Sequence, residues 1–560
     1  MKQIYFLIIT LAINPIQDIG GSLAFQGQDI IGGAAVIFKA PKRVRDLVGV
    51  AAAAMASRRP PRSSRSADVA RNNADRTRPP GQPATTDTSS ATATSDRVDA
   101  LMSQGNTRYD TGQFTQALEA YQNAVKLAPQ DAEAHSAVGD TYLSLNRFAE
   151  AAAAYEQTVR LQPDNSGAFS NLGFAYDKLA KGPESITALR NAVTLNSSDA
   201  VAFNNLGAAL YKAGRYQEAI EAFNNAVRLQ PNDADALNNL GAALYMLEQY
   251  ERAADSFQRS IAAKADSADA YYNLGNANYM IGKHREATVA YRRAIQLRPD
   301  YVEARTNLGS LLISLGEHRN AIAELQESIR QRANNPVAHN NLGYAYVKVG
   351  ETLDRAATVQ HLRQAVDSYR EALRLKPDYI KALNNLGAAY NKLGQYQEAA
   401  DILARATRAK PDFPEAHYNL GTAFYNRGQF KEAVAEFRQA IQLRKDYADA
   451  YNSLGTALYR DQQFDPAIEA YKKTLSLKPA NAETNNNLGT VYFRTKRYRE
   501  AEASFKEAIK IKPDYGEAHF NLALTYVALG NRKAALDQYN KLKTVDSKLA
   551  DDFFQRHIKK

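Results

Sequence analysis

The chain has 560 residues, of which 45% are hydrophobic and 23% are charged, and it contains no cysteine. Without cysteine it can form no disulfide bond, thiolate nucleophile or Cys-ligated zinc site. The net charge of +10 is unevenly distributed: residues 1–97 hold thirteen basic and seven acidic side chains, a balance of +6, and the rest adds +4. Because nucleic-acid-binding surfaces concentrate Lys and Arg, the sequence predicts no nucleic-acid partner.

The first 97 residues differ in composition from the rest. In residues 1–24, Lys2 precedes about ten apolar residues, too few for a helix that spans a bilayer. With the small-residue sequence SLA at 22–24, we interpret this stretch as a signal peptide or weak anchor. Residues 25–97 are interpreted as a disordered, basic linker rich in Pro, Ser and Arg, although AMA at 54–56 offers a second cleavage pattern. The compartment stays open between the cell envelope or exterior and the cytoplasm, and membrane association is predicted through the N-terminus only.

Residues 200–233 show the pattern that organises the rest of the chain. Phe203, Leu206 and Leu210 recur at the spacing of one helix face. Gly214 can adopt the left-handed conformation that ends a helix, and Pro231 lacks the N–H that would continue a second one. The stretch therefore predicts a helix, a tight turn and a second helix.

This unit repeats thirteen times between residues 98 and 549, which indicates a solenoid. The eighth position is glycine in twelve units and Ala523 in the last. Each glycine follows the previous one by 34 residues except the step of 44 from Gly343 to Gly387, which places a ten-residue insertion near 351–360. The glycines are Gly105, Gly139, Gly173, Gly207, Gly241, Gly275, Gly309, Gly343, Gly387, Gly421, Gly455 and Gly489. Helical periodicity in the insertion predicts that the second helix of that unit starts two to three turns early.

With Ala at the twentieth position of twelve units and Pro at the thirty-second of eight, the pattern resembles the tetratricopeptide repeat (TPR) family. The resemblance implies an all-α fold: an α-solenoid, a right-handed superhelix of about thirteen helix-turn-helix units with first helices lining a concave groove. Solenoids must cover their open end, so we predict a C-terminal capping helix, with residues 550–560 forming its end and a tail. The resemblance also implies a role, because proteins of this family usually bind other proteins.

Ten units place Asn at their sixth position, although Asn is a mediocre helix former. A carboxamide can bond a peptide main chain whatever its side chains. The row resembles that of the TPR superhelix of O-linked N-acetylglucosamine transferases, which implies that it holds extended peptide segments of partner proteins. The alternative is that each Asn bonds the neighbouring repeat and fixes the stacking. The row is Asn171, Asn205, Asn239, Asn273, Asn307, Asn341, Asn385, Asn419, Asn487 and Asn521.

Tyrosines at the twelfth position are the second set of candidate groove residues. Tyr offers a large contact area at little entropic cost, and the alternative is packing against the next unit. The predicted set is Tyr211, Tyr245, Tyr279, Tyr425 and Tyr459. Acidic side chains at the second position and basic ones at the thirteenth are interpreted as complements of the helix dipole.

No catalytic constellation emerges from the sequence. The eight histidines occupy packing positions of the repeat, the insertion or the tail, and no metal-ligand spacing, Gly-rich phosphate loop or G-x-S-x-G motif occurs. We therefore predict no enzyme activity, catalytic residue, metal, cofactor or small-molecule substrate. The predicted function is a non-catalytic protein–protein interaction scaffold. The alternative is a subunit that recruits substrates to a separate protein-modifying enzyme such as a glycosyltransferase.

Overall fold

The computed structural model describes residues 87–553, and this range contains 27 helices and no strand. It divides into two compact units, residues 87–304 and 305–553, considered separately below. In the first unit the helices are α1 Asp87–Asp110, α2 Phe114–Leu127, α3 Ala132–Ser144, α4 Phe148–Leu161, α5 Ser166–Lys178, α6 Gly182–Leu195, α7 Ala200–Lys212, α8 Tyr216–Leu229, α9 Ala234–Met246, α10 Tyr250–Ala263, α11 Ala268–Met280 and α12 His284–Leu297.

The second unit follows the same plan. Helix α13, Val302–Ser314, starts just before the boundary between the units. The others are α14 His318–Gln331, α15 Pro336–Gly350, α16 Arg355–Leu375, α17 Ile380–Lys392, α18 Tyr396–Ala409, α19 Pro414–Asn426, α20 Phe430–Leu443, α21 Ala448–Arg460, α22 Phe464–Leu477, α23 Ala482–Arg494, α24 Tyr498–Ile511, α25 Gly516–Ala528, α26 Arg532–Val545 and α27 Ser547–Phe553. Consecutive helices pair as the period predicted, so the predicted all-α solenoid is confirmed.

Local chemistry sets the helix boundaries. Gly214 ends α7 with a φ of 74°, as its position in the sequence predicted. Five units make the same turn with a non-glycine residue at positive φ, including Glu248 and Lys496. First helices commonly begin after a residue whose side chain accepts their first free N–H groups. These caps are Asp131, Asn165, Asp199, Asp233, Ser267, Asn335 and Asn481.

Each helix pair in residues 87–553 except the last, which has Ala523 at this position, closes around the glycine of its first helix. A Cβ built on Gly207 would lie 2.6 Å from Phe223 Cδ1, and one on Gly421 would lie 2.8 Å from Phe437 Cδ1. Both rings are almost fully buried. The glycine is thus required by the close approach of the two helices, and the ring from the second helix fills the space that a side chain would occupy.

The ten-residue insertion lengthens the second helix of its unit. Helix α16 has 21 residues, whereas most second helices have 14. It begins seven residues before Leu362, which occupies the repeat position at which the other second helices begin. Seven residues make about two turns, in agreement with the prediction, although Leu353 lies in the preceding turn and not in the helix.

Both ends of the described range bear on predicted boundaries. Helix α1 starts at Asp87, so the linker predicted to run to residue 97 ends too late. The physical reason is that no Pro or Gly follows Pro83 to stop a helix that extends back from Val98. The predicted signal peptide or anchor and most of the predicted linker lie outside the described residues. Within residues 87–553 no helix is long and apolar enough to cross a membrane.

At the C-terminal end, α27 covers the last helix pair. Phe553 is fully buried, and its ring packs edge-on against Phe520 at 5.7 Å between centroids. Asp546 Oδ1 accepts the backbone N–H of Leu549 at 3.0 Å and so caps the helix. The predicted C-terminal capping helix is therefore confirmed.

Candidate functional site

First helices of consecutive repeats contact each other, for example α7 with α9 and α17 with α19, whereas consecutive second helices do so less extensively. We call the side of each unit that carries the first helices the inner side, after the concave groove that the TPR resemblance predicts. Side chains that project from this side are therefore the candidates for partner binding.

Asparagines link successive first helices on the inner side. In the unit of residues 87–304, Asn239 Nδ2 donates to Asn204 Oδ1 at 3.1 Å, and Asn273 Nδ2 donates to Asn238 Oδ1 at 3.0 Å. Each bond runs from the sixth position of one repeat to the fifth of the preceding repeat. In the unit of residues 305–553 the same bond joins Asn385 to Asn340 at 3.1 Å, Asn419 to Asn384 at 2.9 Å and Asn521 to Asn486 at 3.0 Å. We call these ten residues the asparagine ladder.

Two further asparagines of the predicted row bond the preceding repeat through other partners. Asn171 Nδ2 donates to Asp140 Oδ1 at 3.1 Å and to the hydroxyl of Tyr155 at 3.2 Å. Asn341 Nδ2 donates to Ser310 Oγ at 2.7 Å. The geometry thus agrees with a stacking role for the row, which was the alternative reading of the sequence. A peptide-binding role stays a prediction, and the two roles are compatible because one amide has several bonding sites.

Some amide atoms of the predicted asparagine row have no partner among residues 87–553. Asn239 and Asn419 each donate to the preceding repeat, but neither Oδ1 accepts a hydrogen bond from any residue in 87–553, although both atoms are buried. The Nδ2 groups of Asn205 and Asn487 are likewise buried and unpartnered within this range. An unsatisfied buried polar group costs about 1–3 kcal/mol. These atoms have no partner within residues 87–553, and because each has almost no solvent-accessible surface, a ligand reaches them only if neighbouring side chains move.

The tyrosines predicted to line the groove pack across the turn of their own repeat. Tyr245 and Tyr425 are buried, and Tyr211, Tyr279 and Tyr459 are half-buried. Their ring partners, with centroid distances, are Tyr216 for Tyr211 at 5.3 Å, Tyr250 for Tyr245 at 4.9 Å, His284 for Tyr279 at 5.7 Å, Phe430 for Tyr425 at 5.5 Å and Phe464 for Tyr459 at 6.0 Å. Burial is the main reason that the pKa of Tyr211 is raised to about 12. Their role in binding remains a prediction.

Acidic residues at the second position form ion pairs that sequence reasoning missed. Asp269 Oδ1 lies 2.9 Å from Arg298 Nη1, and Asp449 Oδ1 lies 2.7 Å from Lys478 Nζ. In each pair the cation sits 29 residues later, in the loop that follows the second helix of the same repeat. The recurrent basic residue before the loop proline was the available signal. These carboxylates hold the loop in addition to complementing the helix dipole.

His417, at the fourth position of its repeat, forms hydrogen bonds to the loop before its helix and to the second helix of its repeat. His417 Nε2 lies 3.0 Å from the carbonyl oxygen of Pro411, and Nδ1 lies 2.6 Å from Glu436 Oε2. Burial, the largest single influence, lowers the pKa of His417, but the hydrogen bonds to Glu436 and Pro411 outweigh it and the net shift is upward. Residues 87–553 contain no cluster of three or more His, Asp or Glu side chains that could hold a metal ion.

The His417–Glu436 pair predicts a pH-dependent contribution to stability. A histidine whose pKa is raised by folding stabilises the fold fully below about pH 6.5, its unfolded pKa, and loses this effect as pH rises through the folded pKa. We expect wild type to exceed His417→Gln in free energy of unfolding by more at about pH 5.5 than at about pH 8.5. The difference should be at most about 1 kcal/mol for this partly exposed pair.

Urea denaturation at the two pH values measures this effect. His519→Gln is the matched control because His519 bonds the carbonyl of Pro513 in the same way, at 2.9 Å, but its Nδ1 faces the neutral amide of Gln538. An equal pH dependence in both variants would contradict the assignment to Glu436.

Family models identify the kind of repeat that this chain contains. A model of the C-terminal domain of cilia and flagella-associated protein 70 matches residues 50–298. TPR models match residues 309–350, 360–423, 421–462, 458–496 and 481–546. The chain therefore carries tetratricopeptide repeats, a fold that typically mediates protein–protein interaction. None of these models refers to O-linked N-acetylglucosamine transferases, so that finer resemblance is not supported.

Three solved structures are among those similar to this chain. The Cut9–Hcn1 hetero-tetramer of APC/C is 15% identical, with 82% of this chain and 96% of that chain covered and a TM-score of 0.38. A MamA structure is 29% identical over 30% of this chain and 97% of that chain, with a TM-score of 0.28. Yeast Tom70 is 16% identical, with 78% of this chain and 97% of that chain covered and a TM-score of 0.31. A search of curated proteins found no match.

Proposed function

We propose that the chain is a non-catalytic scaffold whose inner surface binds extended segments of partner proteins through the asparagine ladder. The observation that supports this most is the set of buried, unpartnered amide atoms on the row: Oδ1 of Asn239 and Asn419, and Nδ2 of Asn205 and Asn487. An oxygen of this kind accepts a backbone N–H, and an amide nitrogen donates to a backbone carbonyl.

The spacing of the ladder suits an extended peptide. Axes of contacting helices are about 8–10 Å apart, and an extended chain rises about 3.3 Å per residue. Successive rungs therefore correspond to about three peptide residues. Main-chain bonding at each rung makes the surface tolerant of partner sequence, and the half-buried Tyr211, Tyr279 and Tyr459 add contact area beside it.

The alternative function predicted from the sequence is a substrate-recruiting subunit. It would use the same binding mode in a complex with a separate enzyme. No feature of the described residues favours it over a scaffold. Association with a membrane, in this proposal, involves only the N-terminal segment that precedes the described residues.

The proposal predicts that loss of the spare acceptors weakens peptide binding in addition to weakening the fold. Asn239→Ala/Asn419→Ala should lower the affinity for a peptide selected against the full chain from a random library about tenfold, or ~1.4 kcal/mol. The free energy of unfolding should fall by only about 1–3 kcal/mol per site because the neighbouring Asn204 and Asn384 lose a donor. Calorimetric titration and urea denaturation measure the two effects.

Two controls separate ligand contact from stacking. Asn224→Ala removes an exposed amide from the second helix α8 and should change neither quantity. Methylation of the backbone nitrogens of the peptide should weaken binding to wild type but add little to the loss in the double variant. Equal affinity of the double variant and wild type, with only stability reduced, would leave stacking as the sole role of the row.

A further inference from the structure

The repeat that carries the insertion has a cavity beside its long second helix. This open-sided cavity of about 740 Å³ lies between residues 353–370 and the end of α17 with its following turn. Val359, Leu362 and Val366 line it from α16, and Leu393 lines it from the turn. Val359 belongs to the turns of α16 that precede the ordinary start of a second helix, so the cavity exists because the helix starts early.

The rim of the cavity is strongly cationic. Four of its twelve lining residues are Arg or Lys, and one, Asp367, is acidic. Arg355 and Arg363 are exposed and form no hydrogen bond or ion pair with any residue in 87–553. Arg370 Nε donates to the hydroxyl of Tyr390 at 2.9 Å, a neutral partner that leaves its charge uncompensated. Lys392 is already paired with Glu351 at 2.6 Å.

The three arginines are arranged along one side of α16. Arg355, Arg363 and Arg370 are eight and seven residues apart, so they recur on one face, with Val359 and Val366 between them. At 1.5 Å per residue they span about 22 Å. Guanidinium groups bind carboxylates through paired hydrogen bonds, and the valines between them offer apolar contact.

We propose that this cavity, which we call the α16 site, binds an acidic segment of a partner protein that inserts apolar side chains between its carboxylates. Charge complementarity selects this occupant. Residues 1–97 of the chain itself carry a balance of +6 and would be repelled. The remainder has a balance of +4, so a second copy brings no net negative charge to the cationic rim. The α16 site is lined mainly by α16, a second helix, and includes no residue of the asparagine ladder.

A charge-reversal experiment tests the α16 site in the full chain. The probe is a fluorescein-labelled peptide of Glu, Asp and Leu, and fluorescence polarisation measures its affinity at low ionic strength. Arg355→Glu/Arg363→Glu should weaken binding about tenfold or more, while a Lys-and-Leu peptide should gain affinity for this variant. The fold should persist because Arg355 is the first residue of α16, where a carboxylate favours the helix.

The controls decide between occupants. Arg408→Glu/Arg438→Glu makes the same charge change at exposed second-helix positions outside the cavity and should leave binding unchanged. Equal binding of the acidic peptide to both double variants would overturn the proposal. Displacement of the peptide by inorganic phosphate alone would also overturn it, and so would equal binding of a peptide with Ser in place of Leu. An oligomer that dissociates on charge reversal of Arg355 and Arg363 would show that a second copy occupies the site instead.

Discussion

Phe437→Ala is expected to lower the free energy of unfolding of its repeat by about 3–5 kcal/mol. The ring is fully buried between α19 and α20, lies 5.8 Å from the ring of Tyr418 between centroids, and fills the space above Gly421. Truncation leaves a cavity that the glycine cannot fill because it has no side chain. The loss should therefore lie at the high end for a large-to-small substitution.

Hydrogen exchange measures this loss where it occurs. In a solenoid each repeat contacts only its neighbours, so its stability is largely local. Amides of α19 and α20 should lose protection in Phe437→Ala, whereas those of α25 and α26 should change little. Lys431→Ala, an exposed change on the same helix, should stay within about 0.5 kcal/mol of wild type. Unchanged protection in α19 and α20 would contradict the packing described here.

Gly207→Ala is expected to destabilise its repeat, although Ala is the better helix former by about 1 kcal/mol. A Cβ at this position would lie 2.6 Å from both Cδ1 and Cε1 of Phe223, a ring that is 1% exposed. The ring cannot move away without displacing the core of α7 and α8. Overpacking costs typically about 1–3 kcal/mol, so the steric term should exceed the gain in helix propensity.

Gly167→Ala provides the opposite case for the same substitution. Gly167 is the second residue of α5, and the nearest atom to a Cβ there, Asn165 Oδ1, would lie at an ordinary van der Waals distance of 3.5 Å. Reduced chain entropy in the unfolded state should raise stability by about 0.4–1 kcal/mol. Thermal denaturation of the two variants should therefore show shifts of opposite sign. A stabilised Gly207→Ala would show that the two helices have room to separate.

Much of the fold follows from the sequence because the packing is repeated. Gly214, Phe223 and the caps such as Asp233 act within one repeat, so the 34-residue period exposes their roles in many copies. The capping helix is predictable for a different reason, since a solenoid must cover its last apolar face and Phe553 follows the last repeat. The start of α1 at Asp87 was not predicted because its first residues lack an apolar face.

The candidate site is less predictable because it depends on contacts between repeats. Rows of Asn at the fifth and sixth positions are visible in the sequence, but the bond of Asn239 to Asn204 depends on how far one repeat is rotated on the next. The contact of Tyr211 with Tyr216 needs only the short turn between them, yet its burial depends on neighbouring repeats. The cavity of the α16 site was not predicted because the insertion occurs only once in residues 98–549, so no repeated pattern indicates how its side chains pack.

In-cell photo-crosslinking tests the central claim most directly, that the inner surface binds partner segments. The probe replaces Ala208, half-buried on α7 one turn from Asn204 and Asn205, and the control probe replaces exposed Asn224 on α8. The account predicts that Ala208 captures discrete partners, with crosslinks that map to an extended segment, and that Asn224 does not. If both positions capture nothing, or the same proteins, the inner surface is not the binding site.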